Sequence, residues 1–63
     1  MDLKPIDAIY LRWISDGRSV ADIAKIERQS IEGIQRQLDV IVRRLGVGSI
    51  ADAVEKAKSL NII

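Results

Sequence analysis

At about 100° per residue, the apolar positions of this 63-residue chain fall into helical stripes, with no strand-like alternation anywhere. The cleanest stripe is Ile31, Ile34, Leu38, Ile41, Val42 and Leu45, which leaves the other side of its helix to charged and amide groups, with Val40 as the apolar exception. Near the start, Ile6, Ile9, Tyr10, Leu11, Trp13 and Ile14 form a broader arc opposite Arg12, Ser15 and Asp16. Near the end, Ile50, Ala51, Ala53, Val54, Ala57 and Leu60 form an arc rich in Ala, whose small side chains let helices approach closely.

Punctuation divides these stripes. Gly17, Gly46 and Asn61 each follow a helical pattern where a left-handed residue closes a helix, and Ser19, Ser30 and Ser49 stand where an N-cap is wanted. Asp22 and Asp52 lie three residues after their serines, close to a capping box, whereas Ser30 has Gly33 there and the weakest cap. Pro5 suits a first turn, where a missing N–H costs nothing. The pattern predicts an all-α four-helix bundle containing a helix-turn-helix, in one domain over 1–63, with helices at approximately 4–16, 19–26, 30–45 and 49–60. The second and third helices are separated by only a few polar residues, the spacing of a helix-turn-helix.

One residue breaks the pattern. Asp7 falls inside the first apolar arc, so it is either buried and paired, to an Arg of the third helix or to an exposed helix N-terminus, or it lies at the rim and is solvated.

Composition narrows the function. A chain this short buries only about 60% of its unfolded surface, so every apolar face is needed. With one Trp, one Tyr and no Phe, the core must be aliphatic. The absence of Cys and His removes thiolate metal sites, the commonest metal ligand and the commonest general base. Asp7 and Asp16 assemble with no nucleophile or base at readable spacing, so neither an enzyme nor a cofactor is expected. No apolar run approaches the roughly 20 residues of a membrane span, and the Met-Asp-Leu-Lys-Pro start lacks the regions of a secretory signal, so a cytoplasmic protein without a membrane partner is expected. Ten basic against nine acidic residues leave a net charge of +1, so any DNA role must rest on placement of charge.

The third helix would supply that placement. Gln35 and Gln37 suit adenine, Arg36 suits guanine or a phosphate, and Arg43 and Arg44 suit backbone contacts. Asp39 is restricted to accepting from a cytosine amino group. Ser19 and Ser30, with the free N–H groups of the helices they begin, are candidates to grip phosphate oxygens. Arg18, Lys25 and Arg28 add cationic flank. Against this, Glu32 precedes Arg36 and Asp39 precedes Arg43 by four residues, an orientation that stabilises a helix by about 0.2–0.5 kcal/mol per pair. A solvated, salt-bridged face explains the same residues equally well. The Ala-rich arc of the last helix serves either internal packing or a contact between chains, for which Ala51, Val54, Ala57 and Lys58 are the candidates.

Taken together, Leu3, Pro5, Asp7, the run Tyr10-Leu11-Arg12-Trp13-Ile14, Gly17-Arg18-Ser19, Ile23-Ala24, Arg44-Leu45-Gly46-Val47, Ala53-Val54 and Ile62-Ile63 resemble the LuxR (GerE)-type helix-turn-helix domain. The resemblance covers nearly the whole chain. Its most specific parts are the Arg-Leu-Gly-Val stretch and its register with Gly17, and the Tyr-Leu-Arg-Trp-Ile run looks closest to the quorum-sensing branch. It implies a DNA-binding domain of a transcriptional regulator, with double-stranded DNA as partner, the third helix in the major groove and the fourth helix forming a homodimer or heterodimer. The family's recognition positions correspond to Gly33, Gln35, Arg36, Gln37 and Asp39, and Arg44 stands at the position of a frequent phosphate-binding residue.

The chain departs from the family at Gln29, where an apolar residue is common, at Gly33, where Ser or Thr is common, and at Asp39, often basic or neutral. Asp7 stands where the family usually has Glu. Gly33 also costs about 1 kcal/mol of helix stability relative to Ala. These departures motivate an alternative: a protein-interaction module with weakened DNA binding that pairs with a full-length LuxR-type regulator and modulates it.

Overall fold

Three helices pack around a fourth, α3, in the computed structural model, which describes residues 3–63. They are α1 (Pro5–Ser15), α2 (Val20–Glu27), α3 (Ile31–Leu45) and α4 (Ile50–Ser59), and no strand occurs among the described residues. Most of these helix ends lie one residue inside the expected bounds, because the expected bounds include the caps. Only α2 runs further than expected, to Glu27.

Each serine proposed as a cap is one. The Ser19, Ser30 and Ser49 hydroxyls accept the N–H of Asp22, Gly33 and Asp52 at 3.1, 3.0 and 3.2 Å, satisfying a donor that the helix itself leaves free. Asp22 alone of the three cap partners, each the third residue of its helix, returns the bond, accepting the Ser19 N–H at 3.2 Å and completing a capping box. At the first helix the same half of the box is made by Asp7, whose Oδ2 accepts the Lys4 N–H at 3.1 Å.

The four helix ends share one geometry. The N–H of Arg18, Gln29, Val47 and Ile62 reaches back five residues to Trp13, Ala24, Val42 and Ala57, while the residue before each reaches back three, the paired bonds of a Schellman closure. The closing residues are Gly17 (φ 92°), Arg28 (φ 54°), Gly46 (φ 68°) and Asn61 (φ 58°), all left-handed. Three of these were legible as stop signals. Arg28 was not.

The core is aliphatic except for Tyr10: Leu11, Ile23, Ala24, Ile34, Leu38, Ile41, Leu45, Ala53, Val54 and Ala57 are buried with it. Fully burying a Leu or Ile side chain stabilises by about 1.5–3 kcal/mol, so the stripe of α3 carries much of the fold. Helix α3 packs against each of the other three, and α1 packs also on α2 and α4, whereas α2 and α4 flank α3 without packing on each other. One side of α3 is thereby left open between them. Trp13 stacks on Tyr10 with ring centroids 5.9 Å apart.

The structure decides the two questions left by the apolar arcs. Asp7 is wholly buried, so it is the paired alternative that holds. Its Oδ2 also accepts Arg44 Nη1 at 2.6 Å, which joins α1 to the last turn of α3. The Ala-rich arc of α4 turns inward: Ala57 is wholly buried and Val54 only 7% exposed. Neither side chain is free to face another chain, which corrects their assignment to a dimer contact; core packing consumed the arc because so short a chain has no apolar face to spare. Ala51 and Lys58, the other two candidates, are exposed.

Candidate nucleic-acid interface

The open side of α3 carries Glu32, Gln35, Arg36, Asp39 and Arg43, all exposed, with Gln37 half-buried at its edge. This division follows from the sequence: Ile34, Leu38, Ile41 and Leu45 repeat at helical spacing and take the inward face, so the residues between them must point out. The 15-residue helix is about 22 Å long at 1.5 Å per residue, enough to cross a major groove about 12 Å wide.

The charges on this face are only partly paired. Arg36 Nη2 lies 3.9 Å from Glu32 Oε2, with both side chains about four-fifths exposed, a pair worth a few tenths of a kcal/mol in water. The second expected pair does not form: among the described residues Asp39 and Arg43 make no ion pair. Asp39 instead lines a groove of about 400 Å³ floored by Val20, Leu38, Val42 and Ile50, with Gln35 and Ser49 beside it. The groove exists because α2 and α4 reach the same side of α3 by their first turns without touching each other.

Arg44 does not belong to this face. Its guanidinium is held by the buried Asp7, with about a third of the side chain exposed, so its charge is already compensated by the fold. The resemblance-based phosphate role is therefore opposed by a 2.6 Å competitor. Lys56 is similarly engaged, donating from Nζ to the Leu45 carbonyl at 2.7 Å at the end of α3. Sequence reading missed this residue, although a Lys placed to reach a helix C-terminus has a favourable charge for it.

Ser19 and Ser30 are present at the first turns of α2 and α3, where their hydroxyl oxygens accept the cap N–H, and the Ser30 O–H keeps its own proton to donate. At Ser19 an anion would meet Asp22. The Ser19 backbone N–H, then its hydroxyl, and more weakly Lys25 and Arg18, hold that carboxyl below the usual carboxylate range. It stays ionised at neutral pH and would repel a phosphate there. At Gly33, a Cβ would lie 3.3 Å from the Ser30 hydroxyl and 3.5 Å from Gln29 Oε1, so the glycine leaves room for the cap and for the Gln29 side chain folded over it.

Among the described residues no cluster of metal-ligating side chains comes together, and no helix is long and apolar enough to cross a membrane. Compared with protein-family models, curated proteins and solved structures, the chain matches none.

Proposed function

We propose that this chain binds double-stranded DNA as a helix-turn-helix domain of a transcriptional regulator of the LuxR type, with α3 in the major groove. The observation that carries this reading is the division of α3 into a buried stripe and an open face bearing Gln35, Arg36, Asp39 and Arg43, framed by the first turns of α2 and α4. Gln35 and Arg36 are the base-reading side chains in this scheme: an amide pairs with adenine and a guanidinium with guanine. Gln37, half-buried, reaches only the groove edge. Arg43 holds backbone. Breaking the exposed Glu32–Arg36 pair to free the guanidinium costs little.

Dimerisation belongs to the same proposal. With Val54 and Ala57 in the core, a partner chain would meet α4 through Ala51, Lys58 and the exposed end of the helix at Leu60.

The test is a titration of a labelled mixed-sequence duplex at about 50 and 200 mM salt. The proposal expects an affinity that falls with salt, and a tighter complex when Asp39→Ala removes the carboxylate nearest the helix centre. Salt-independent signal, or none, refutes it.

The groove beside Asp39 favours a second reading, a protein-interaction module that pairs with a full-length regulator, because its apolar floor and acidic edge are poor surroundings for phosphate. Under that reading Asp39→Ala leaves DNA binding absent, and the chain associates with a LuxR-type partner at micromolar concentration.

A further inference from the structure

Four helix ends close with the same hydrogen bonds and the same left-handed residue, so they form an internal comparison. At Gly17, Gly46 and Asn61 the residue is of a type that enters this conformation at least cost. At Arg28, with φ 54° and ψ 44°, it is not: the Cβ of an arginine crowds the following carbonyl where glycine would have none. The arginine gives the fold nothing visible in return. Its side chain is exposed, and among the described residues it makes neither a hydrogen bond nor an ion pair. A strained residue without an internal partner points outward, to function.

The position matters as well. Arg28 sits in the turn between α2 and α3, two residues before the Ser30 cap, while Arg43 lies in the last turn of α3. Of the four arginines on or beside α3, Arg36 is loosely paired to Glu32 and Arg44 is held by the buried Asp7, which leaves Arg28, in the turn before α3, and Arg43, in its last turn, without an ion-pair partner among the described residues.

Resting on the DNA-binding reading above, we propose that Arg28 is a phosphate-holding residue, and that Arg28 and Arg43 bracket α3 on the DNA backbone in place of Arg44. The cation at the turn is kept at the expense of helix closure because it neutralises a phosphate where the helix enters the groove.

The proposal separates stability from binding, which a merely structural role cannot do. Arg28→Gly relieves the left-handed strain and is expected to raise the melting temperature, by about 4 °C or more for a domain of this size. The same variant is expected to bind the mixed-sequence duplex about three- to tenfold more weakly, with the slope of log affinity against log salt reduced by about 0.9, one phosphate's share. Arg28→Lys keeps the charge and therefore the slope. Arg44→Lys, which keeps a cation beside Asp7, leaves the slope unchanged. If the wild-type chain binds the duplex with salt-dependent affinity but Arg28→Gly matches it in affinity and slope, the assignment of Arg28 is overturned while the DNA reading stands. If Arg28→Gly melts lower than wild type, the strain premise is wrong and the inference goes with it. If the wild-type chain binds no duplex at all, both readings fall.

Discussion

Asp7 and Arg44, 37 positions apart, form a 2.6 Å ion pair in which the carboxylate is wholly buried and the guanidinium reaches it from the edge of the core. Asp7 serves two elements at once, since the same Oδ2 accepts the Lys4 N–H at the start of α1. Its other oxygen, Oδ1, is buried without a hydrogen-bond partner. The carboxylate thus depends on Arg44 for compensation, and taking the arginine away leaves a charge in the core.

The consequence for stability is asymmetric. Arg44→Ala is expected to destabilise the fold by about 2–3 kcal/mol, below the full penalty for breaking a buried pair because the arginine is partly exposed. Replacing both residues together with Asp7→Ala should cost less than the sum of the single changes, with a coupling of at least about 0.5 kcal/mol in urea unfolding. Additive losses would mean that the two side chains do not depend on each other.

Tyr10 predicts an alkaline limb. Burial first, and then the negative charges of Glu27 and Asp7, push its phenol above the ordinary tyrosine value of 10.0. A group whose folded pKa is raised stabilises fully below its unfolded value, and that contribution is lost as pH rises through the folded one. Stability should therefore decline above pH of about 10 in the wild type and decline less in Tyr10→Phe. Because Tyr10 is the only tyrosine, absorbance of tyrosinate reads the titration directly. A midpoint at or below that of free tyrosine would contradict the burial argument.

The cap of α2 predicts an acid limb of opposite sign. Ser19→Ala should cost about 1 kcal/mol by thermal or urea unfolding, since it strands the Asp22 N–H and half the box. Asp22 has its folded pKa lowered, so its contribution is present above the ordinary carboxylate value and disappears as pH falls through the lower folded one. Asp22→Asn should lose less stability over that acid range than the wild type. Parallel acid curves for the two chains would refute this.

Two alanines on one helix should behave oppositely. Ala57→Leu forces extra volume into a filled core and is expected to destabilise by about 1–3 kcal/mol, while Ala51→Leu on the exposed side should stay within about 0.5 kcal/mol of wild type. If α4 joins two chains as proposed, Ala51→Glu should weaken association measured by sedimentation without changing the helical content. Tolerance of leucine at Ala57 would reopen its assignment to a contact surface.

Much of this molecule is legible in local signals. Ser19, Ser30 and Ser49 act within their own first turns and Gly17, Gly46 and Asn61 within their own last turns, so sequence neighbours suffice to find them. The stripe of α3 is equally local, since one helix's periodicity decides which side faces in. Arg28 escaped because its residue type argues against the left-handed conformation that the backbone nevertheless takes there. Asp39 and Arg43 have the spacing of an ion pair but not the geometry, because spacing places two side chains on one face without choosing their rotamers.

The sequence by itself determined four amphipathic helices, most of their caps and the outward residues of α3, all set by interactions within about one helical turn. Only the tertiary structure decided that Asp7 is buried on Arg44, that Lys56 caps the end of α3, and that Val54 and Ala57 lie in the core of one chain. Each of these depends on which helices meet and at what distance. Ion pairing and burial across helices follow from packing in three dimensions, and no periodicity along a single helix encodes it.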